Sequence, residues 1–357
     1  MKSILIVSTE DWAGKSMLAM GIGLTLKERG IPFSYMKPIS SNVSYVTGKP
    51  IDQDIEAIHS VLGLKDDMDD TAPVALEGPF LLEAIQSGDR GFRKRIVDSF
   101  HRVTRECEVA LIEGRRFLGL GVGAGLSDFD LAELLDADIL MFTRYDGEEA
   151  VDRILCALRF LDPGQRLLGV VLNEVSMGSE LDLVSDVFVP FLAERGAEVL
   201  GIVPYDNRLH YTSVTEIVER LGGKLVTEAP LHRPVGHFLI GAMSPELALR
   251  GFRRTPDFAV IMGGDRVDIQ LAALEAPGLR CLILTGNIHP VKTVVDKAEE
   301  KRIPVIVVGQ DTIPAAELCE QLVGHSCLCR GSRLEIALEL IRTNIDIERI
   351  IEKAVDR

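Results

Sequence analysis

The stretch ILIVSTEDWAGKS, residues 4–16, decides the fold of the first half of the chain. It joins four apolar residues, enough for a short buried strand, to Gly14-Lys15-Ser16, the end of a phosphate-binding loop. Thr9 stands where the general loop pattern has its first glycine. An amphipathic helical pattern begins at Gly14, and a helix N-terminus favours an anion through its free N–H groups and dipole. The stretch predicts a nucleotide site, and the alternative is a plain strand-to-helix turn.

The first half of the chain alternates short apolar runs with longer amphipathic stretches, which is typical of a parallel sheet covered by helices on both faces. The predicted strands are Ile4–Val7, Phe33–Met36, Val109–Ile112, Ile139–Phe142, Leu167–Leu172 and Val199–Val203. After Pro204 a polar segment interrupts the pattern, and a second set of strands and helices begins. We predict an α/β protein with two domains, residues 1–206 and 212–325, followed by an amphipathic helix over 331–357.

The composition excludes several classes of partner. With 46% hydrophobic and 26% charged residues, the chain is typical of a globular protein. The formal net charge of −15 argues against nucleic acid and anionic membranes, because a protein that neutralises phosphates needs surplus lysine and arginine. No apolar run approaches the roughly 20 residues that span a bilayer, so we expect a cytoplasmic protein. Its six scattered cysteines indicate reduced thiols rather than a disulfide framework.

A second cation is expected beside the loop. In P-loop proteins that partition plasmids or position division machinery, a lysine lies five residues before the loop lysine, but Glu10 occupies that position here. Lys37, which follows the predicted second strand and precedes Pro38, is the candidate instead. Ligands collect at the carboxyl edge of an α/β sheet, so Lys37 is predicted to lie on the same rim as the loop. The alternative is a solvated surface lysine.

In their order, the motifs resemble those of dethiobiotin synthetase from residue 1 to about residue 206. In that family a Gly-Thr-x-x-x-x-Gly-Lys-Thr/Ser loop is followed by Lys-Pro, an aspartate before a helix, Glu-Gly after a strand and Asn after another strand. The matching positions are Thr9, Gly14-Lys15-Ser16, Lys37-Pro38, Asp54, Glu113-Gly114, Asn173 and Pro204. The resemblance implies a P-loop NTPase-type sheet that binds ATP and Mg²⁺. It implies nucleotide contacts from Thr9, Ala13, Gly14, Lys15, Ser16, Met17, Asn173 and Pro204.

The resemblance also implies a catalytic set, Lys15, Lys37, Asp54 and Glu113. The two lysines would neutralise charge on the transferring γ-phosphoryl group, a task that consists mainly of positioning and electrostatics. Magnesium prefers hard oxygen ligands, and Ser16, Asp54 and Glu113 would supply them.

Alternatives remain for three of these positions. Asp54 could be a carboxylate that only stabilises a helix N-terminus, and Asp52 could then be the ligand. Asn173, which the resemblance implies for adenine, could instead form a turn. For Glu113 the functional interpretation is favoured, because a carboxylate that ends a buried apolar strand is costly unless it has a partner.

Two departures from the family fall on the substrate side. Arg115-Arg116-Phe117 follows Glu113-Gly114, where dethiobiotin synthetase has small residues that shape the floor for its diamine substrate. Residues 39–42, Ile-Ser-Ser-Asn, replace a glycine-bearing turn. Both changes leave the nucleotide side intact, so nucleotide binding is predicted but dethiobiotin synthesis is not.

The second half resembles the DRTGG domain over residues 212–325. The segments that carry this resemblance are GAMSPELAL (241–249), GGDRVDIQLAAL (263–274) and LILTGN (282–287). That domain accompanies a dethiobiotin-synthetase-like module in the N-terminal region of long phosphotransacetylases. The resemblance implies a smaller α/β regulatory domain with a ligand or dimer contact at Gly264, Asp265, Arg266 and Asp268. The alternative there is a turn with an internal ion pair. Because the chain ends at Arg357, before an acetyl-transferring domain, no acetyltransferase activity is expected.

Three further features are less specific. His325, Cys327 and Cys329 would share one face of a strand, but a structural zinc site wants four ligands and no second pair is near, so zinc is not predicted. Trp12, the single tryptophan, is either a lid over the nucleotide or a packing residue. A homodimer is implied by resemblance, and residues 331–357 could cover a sheet edge or a partner subunit.

Two classes of function remain. The favoured one is a nucleotide-responsive regulatory protein with weak or conditional ATP hydrolysis, because no substrate signature is present. The other is an ATP-dependent ligase that phosphorylates a carboxylate or carbamate, similar to dethiobiotin synthetase or cobyrinic acid a,c-diamide synthase. No glutaminase domain with a nucleophilic cysteine is recognisable. Whether the protein is an enzyme stays open, as does the identity of its small-molecule substrate or protein partner.

Overall fold

The computed structural model describes residues 1–40, 43–46, 49–75, 91–320 and 332–355, together with Leu82 and Leu322. The chain divides into two compact units. Unit 1 comprises Met1–Asp206 with Cys327–Arg357, and unit 2 comprises Asn207–Ser326. The division therefore follows shortly after Pro204, in the polar segment that interrupts the sequence pattern.

A six-stranded parallel sheet forms the centre of unit 1. The strands of this unit are β1 (Lys2–Val7), β2 (Phe33–Met36), β3 (Ile39–Ser40), β4 (Val43–Val46), β5 (Lys49–Asp52), β6 (Val74–Ala75), β7 (Val109–Glu113), β8 (Asp138–Arg144), β9 (Leu167–Val175) and β10 (Val199–Pro204). The large sheet has the order β10-β9-β8-β1-β7-β2. Because β1 pairs with both β7 and β8, the loop of residues 8–14 emerges near the middle of the carboxyl edge.

Helices cover the sheet of unit 1. They are α1 (Lys15–Glu28), α2 (Gln53–Leu62), α3 (Met68–Thr71), α4 (Phe92–Val103), α5 (Asp128–Leu134), α6 (Glu148–Arg159), α7 (Ser179–Leu183) and α8 (Val189–Ala193). A π-helical turn at Val184–Phe188 joins the last two helices. Apolar residues of the helices, such as Leu131, Ile154 and Leu192, form one core with Leu5 and Met141 of the sheet. Ile4 and Ile6, which alternate with Leu5 along β1, are fully buried as well, and burial on both faces explains why the central strands are continuous apolar runs.

Unit 2 contains a smaller α/β sheet. Its strands are β11 (Thr212–Ser213), β12 (Lys224–Leu225), β13 (Pro234–Val235), β14 (His237–Ile240), β15 (Phe258–Gly263), β16 (Leu279–Thr285) and β17 (Val305–Val307). Its helices are α9 (Asn207–His210), α10 (Val214–Leu221), α11 (Pro245–Arg254), α12 (Val267–Leu274), α13 (Lys292–Glu300) and α14 (Thr312–Glu320). Strands β14 to β17 are parallel and adjacent in sequence order, and β12 pairs antiparallel with β17.

The helices of unit 2 lie on opposite faces of its sheet. One core contains α11, α12 and α13, with Phe252, Ile269 and Val294 as examples. The other contains α10 and α14, with Ile217 and Ala315 as examples. The predicted fold class, a parallel sheet with helices on both faces followed by a smaller α/β domain, is confirmed.

The C-terminal segment forms two helices where the sequence predicts a single one over 331–357. They are α15 (Ser332–Asn344) and α16 (Ile347–Val355). The break contains Ile345, which bridges to Gly201 of β10, and Asp346, whose N–H donates to the Leu200 carbonyl at 2.9 Å. The side chain of Asp346 accepts from the N–H of Arg349 at 2.9 Å and so begins the second helix. This segment therefore covers β10, the edge strand of the unit 1 sheet.

None of the helices in the described ranges is both long and apolar enough to span a bilayer.

Candidate functional site

The conformation of the loop between β1 and α1 depends on Gly14 and on a hydrogen bond from Asn173. Gly14 has a φ of 97°, and a Cβ there would lie 2.9 Å from the side chain of Met17. Asn173, at the carboxyl end of β9, donates its amide N–H to the carbonyl of Ala13 at 2.9 Å. Asn173 is 4% exposed, so its side chain fixes the backbone of the loop. Met17 is buried as well, beneath the loop.

Lys15 is buried and bound to protein atoms. Its Nζ donates to Ser8 Oγ at 2.7 Å and to the carbonyl of Arg116 at 3.1 Å. Burial lowers the pKa of Lys15, although the negative charges of Glu113 and Asp128 act in the opposite direction. Phosphate binding at Lys15 would therefore replace two existing hydrogen bonds.

A charged cluster lies next to Lys15 and is built from residues far apart in sequence. Ser16 Oγ donates to Glu113 Oε1 at 3.0 Å. Lys37 Nζ lies 3.5 Å from the same Glu113 oxygen and 3.6 Å from Asp54 Oδ2. The structure thus brings together Ser16, Lys37, Asp54 and Glu113, as the parallel topology leads one to expect. The side chain of Asp52, the alternative ligand, lies outside the described part of the structure.

Tyr35 completes the cluster and was missed by the sequence interpretation. Its hydroxyl donates to Glu113 Oε2 at 2.9 Å, and the residue is fully buried in β2. Both oxygens of Glu113 therefore have donors, which offsets the cost of burying the carboxylate. The available signal was the spacing of Tyr35, in β2, and Lys37, directly after it, because residues two apart in extended backbone place their side chains on the same face.

Asp128 is a second buried carboxylate that sequence reasoning missed. It begins α5, and its Oδ1 accepts the N–H of Arg115 at 2.8 Å, while its Oδ2 has no hydrogen-bond partner. Burial raises the pKa of Asp128 to about 7, although the Arg115 hydrogen bond and the charge of Lys15 oppose this rise. A Cβ at Gly114 would lie 2.4 Å from Oδ2, so only glycine fits there. In the sequence, Asp128 looks like an ordinary helix N-terminal carboxylate.

The tip of the loop carries an exposed ion pair. Arg116 Nε donates to Asp11 Oδ2 at 2.6 Å, which raises the pKa of Arg116. Trp12 and Phe117 flank this pair in sequence and are 43% and 41% exposed, so neither belongs to the core. Arg116, one of the three residues that depart from the dethiobiotin synthetase pattern, therefore contacts the loop directly.

Glu10 anchors the other side of the loop. Its carboxylate accepts from the backbone N–H of Arg144 at the end of β8 and lies 3.6 Å from Arg153 Nε. Thr9 donates to the Glu10 carboxylate and lies 3.4 Å from the hydroxyl of Thr143. Thr9 and Glu10 thus fix the loop to the neighbouring strand and helix.

Pro204 and the candidate metal ligands are the remaining positions that the sequence singles out. Pro204 ends β10 and pairs with Val175 of β9, on the outer part of the sheet. Within the described ranges, no group of three or more His, Cys, Asp or Glu side chains is arranged to hold a metal ion. The candidate magnesium ligands are two carboxylates and the hydroxyl of Ser16, so they include only two side chains of these four types. His325, Cys327 and Cys329 lie outside the described residues.

In unit 2, the predicted set at residues 264–268 forms a turn with an internal ion pair. Arg266 Nε donates to Asp268 Oδ1 at 3.2 Å, and its NH2 group donates to the carbonyl of Met243 at 3.2 Å. The hydrogen bond from Arg266 lowers the pKa of Asp268. Gly264 is tightly packed, because a Cβ there would lie 2.2 Å from the carbonyl of Ile288. Asp265 is exposed beside this turn.

Comparisons with known proteins support both halves of the sequence interpretation. Residues 2–213 match the AAA domain family, and residues 216–322 match the DRTGG domain family. A phosphate acetyltransferase of Synechocystis sp. is 24% identical over 374 residues, covering 98% of this chain and 51% of the relative. An ATP-dependent dethiobiotin synthetase of Methanococcus vannielii is 24% identical over 204 residues, covering 56% of this chain and 92% of the relative. The predicted resemblances are therefore confirmed.

The chain spans about half the length of the phosphate acetyltransferases that it matches. Among solved structures, the CBS and DRTGG domains of a Clostridium perfringens pyrophosphatase, complexed with the activator diadenosine tetraphosphate, align with 44% of this chain and 76% of that chain. The identity is 19% and the TM-score is 0.30, a likeness too low to support a conclusion.

Proposed function

Because the chain belongs to the AAA domain family through residues 2–213, we propose that it binds ATP, with the phosphates at the loop of residues 8–16. We propose further that it is a nucleotide-responsive regulatory protein with weak or conditional ATP hydrolysis. It would be of the type found in the N-terminal region of phosphotransacetylases.

The position of Lys37 carries this proposal. Its ammonium group lies within 3.6 Å of both Asp54 and Glu113, beside a loop that opens a helix. A cation on this rim, beside the N–H groups of a helix N-terminus, can bind phosphate oxygens, and the carboxylates can hold a Mg²⁺ ion that neutralises them.

The same cluster fits Mg²⁺. Ser16, Asp54 and Glu113 offer oxygen atoms, which Mg²⁺ prefers, and they lie on the side of the loop that the phosphates would occupy. When bound, Mg²⁺ would neutralise charge on the phosphate oxygens. The Tyr35 hydroxyl fixes the orientation of Glu113.

The contacts of Lys15 support a conditional activity. Lys15 is held by Ser8 and by the carbonyl of Arg116, and Arg116 also binds Asp11 at the loop tip. A phosphate that takes over Lys15 would remove one of the contacts that hold the segment around Arg116, which Ser8 and Asp11 also bind. Two arrangements of this segment, one with and one without nucleotide, would give a regulatory output.

A ligase is the second candidate. Its support is the presence of Lys15, Lys37, Asp54 and Glu113 together, which is more than binding alone requires, and the similarity to a dethiobiotin synthetase. The acceptor would be a carboxylate or carbamate. Arg115-Arg116-Phe117 would then contribute to its binding site.

From the sequence we propose that the protein is a cytoplasmic homodimer. Its partners would be a nucleotide and either a small-molecule substrate or a protein. Light scattering coupled to size exclusion measures the mass directly, and a mass equal to the 39.2 kDa monomer at micromolar concentration would contradict the dimer.

Phosphate release and amide exchange, measured on the same sample, test the function. The regulatory proposal predicts slow phosphate release that a pool of carboxylate metabolites does not stimulate. It also predicts that ATP, but not ADP, changes the amide exchange of unit 2. Stimulated phosphate release would favour the ligase. The Lys37→Met variant should lose turnover, and Lys65→Ala, at an exposed lysine, serves as the matched control.

A further inference from the structure

The turn of residues 114–118 directly follows β7, and its two ends are bound to the end of β1 and the residue after it. The N–H of Gly114 donates to the carbonyl of Ile6 at 2.9 Å. The N–H of Leu118 donates to the carbonyl of Ser8 at 2.8 Å. The ends of the turn are therefore fixed to the backbone that leads into the phosphate loop.

The middle of this turn contacts the lysine of the phosphate loop. The carbonyl of Arg116 accepts from Lys15 Nζ and from Ser8 Oγ, each at 3.1 Å. Lys15 is 7% exposed, and its contacts with this carbonyl and with Ser8 Oγ occupy N–H donors that a phosphate would otherwise receive. The position of the Arg116 carbonyl therefore affects how readily Lys15 binds a phosphate.

Asp128, the first residue of α5, holds the same turn from another side. Its Oδ1 accepts the N–H of Arg115, the residue directly before Arg116, at 2.8 Å. Its own N–H donates to the carbonyl of Leu118 at 3.1 Å. Asp128 thus binds the residues on both sides of Arg116 and Phe117, the middle of the turn.

The carboxyl of Asp128 is enclosed by protein atoms. The residue is 0% exposed, and its Oδ2 packs against Gly114 without a hydrogen-bond partner. The start of α5 is fixed by hydrogen bonds between Ser127 and Asp130, and Leu131 of the same helix lies in the core. A buried oxygen without a partner costs folding free energy, so stability alone does not account for a carboxyl at this position.

We propose that Asp128 is a positioning residue of the phosphate site, which holds the turn of residues 114–118 so that the Arg116 carbonyl occupies Lys15 in the absence of nucleotide. This inference rests on the proposed function, because it concerns phosphate binding at Lys15. Asp128 acts through the backbone of Arg115 and makes no contact with the nucleotide itself.

Removal of the Asp128 carboxyl should make Lys15 more available. The backbone of Arg115 then loses its anchor, and the Arg116 carbonyl leaves Lys15 in a larger fraction of the chains. The apparent affinity for a ligand rises with the fraction of chains whose site is ready to bind it. Because one hydrogen bond is lost, we expect a change of about twofold to tenfold.

Amine labelling of the full chain without nucleotide tests the position of the turn. A short pulse of an acetylating reagent is applied, and mass spectrometry reads the extent of reaction at each lysine. Lys15 should react about twofold to tenfold faster in Asp128→Ala than in the wild type. Asp128→Asn keeps an oxygen for the Arg115 N–H and should leave the rate unchanged. Lys353, a partly buried lysine of α16, is the internal reference and should react equally in all three chains.

Calorimetric titration of ATP, with EDTA in place of Mg²⁺, tests the consequence for binding. Without the metal, the measurement reports on Lys15 rather than on the magnesium ligands. Asp128→Ala should bind ATP about twofold to tenfold more tightly than the wild type, and Asp128→Asn should bind it equally. A purely structural role predicts the opposite, because a disordered loop binds more weakly. If Asp128→Ala does not fold, Gly114→Ala replaces it, since the added Cβ displaces the same carboxyl.

Three outcomes would overturn the proposal. The first is that Lys15 reacts at the wild-type rate in Asp128→Ala, or that Lys353 accelerates equally, which would indicate a general loosening. The second is that Asp128→Asn changes as much as Asp128→Ala. The third is that Asp128→Ala binds ATP no more tightly than the wild type. Absence of ATP binding to the wild type would instead refute the proposed function, and the labelling would still decide whether Asp128 positions the turn.

Discussion

The pH dependence of stability in unit 1 should contain a component from Asp128. Its carboxyl is fully buried, with a pKa of about 7 in the folded chain against an ordinary value of 3.8. Between about pH 4 and pH 7, the folded chain therefore keeps a proton on Asp128 that the unfolded chain has lost. Stability is fully present below the unfolded pKa and is lost as the pH rises through the folded one.

The size of this component follows from the two pKa values. At 1.36 kcal/mol per pKa unit, the free energy of unfolding should fall by about 2.5 kcal/mol between pH 5 and pH 8. Asp128→Asn keeps the shape and an oxygen for the Arg115 N–H but does not titrate. The variant should therefore lack this decline, and Asp98→Asn, at an exposed carboxylate, should retain it.

Urea unfolding at pH 5, 6, 7 and 8 measures this directly. Trp12 is the single tryptophan and belongs to unit 1, so its fluorescence probes that unit, and far-ultraviolet circular dichroism follows the whole chain in parallel. If Asp128→Asn and the wild type lose the same stability over this range, the carboxyl does not titrate as its burial implies. The reasoning about Asp128 would then be refuted.

Two further predictions concern packing and hydrogen bonding in unit 1. Tyr35→Phe removes the donor to Glu113 Oε2 and should lower the free energy of unfolding by about 1.5–3 kcal/mol, read from urea midpoints; an unchanged midpoint would contradict the hydrogen bond. Gly201→Ala places a Cβ 2.6 Å from the carbonyl of Asn344 and should cost about 1–3 kcal/mol. Amide exchange at 332–355 should rise in that variant but not in Gly164→Ala, where nothing lies within 4 Å; equal exchange in both would be inconsistent with the packing.

Local patterns in the sequence predict much of the fold. The apolar runs give the six strands of the large sheet, because strands buried on both faces must be apolar throughout. The parallel topology also explains why Lys37 and Glu113, which end neighbouring strands, come within 3.5 Å of each other. In unit 2, residues 234–240 are divided between β13 and β14, and Gly236 between them packs against the ring of Tyr211.

The contacts that the sequence does not reveal depend on how distant segments meet. Asp128 and Arg115 are joined by the path of the intervening loop, which no periodicity describes. Tyr35 looks like any aromatic residue of a buried strand until Glu113 is placed beside it. Asn173, which the resemblance implies for adenine, also donates its amide N–H to the backbone of the loop at Ala13, a contact that only the tertiary structure supplies.

Calorimetric titration of ATP with Mg²⁺ into the wild type and Lys15→Ala tests the central claim most directly. The account predicts magnesium-dependent binding to the wild type, at least a hundredfold weaker binding to Lys15→Ala, and unchanged binding to Lys94→Ala, where the lysine is exposed. Absence of ATP binding to the wild type, or equal affinity in Lys15→Ala, would contradict a nucleotide site at residues 8–16.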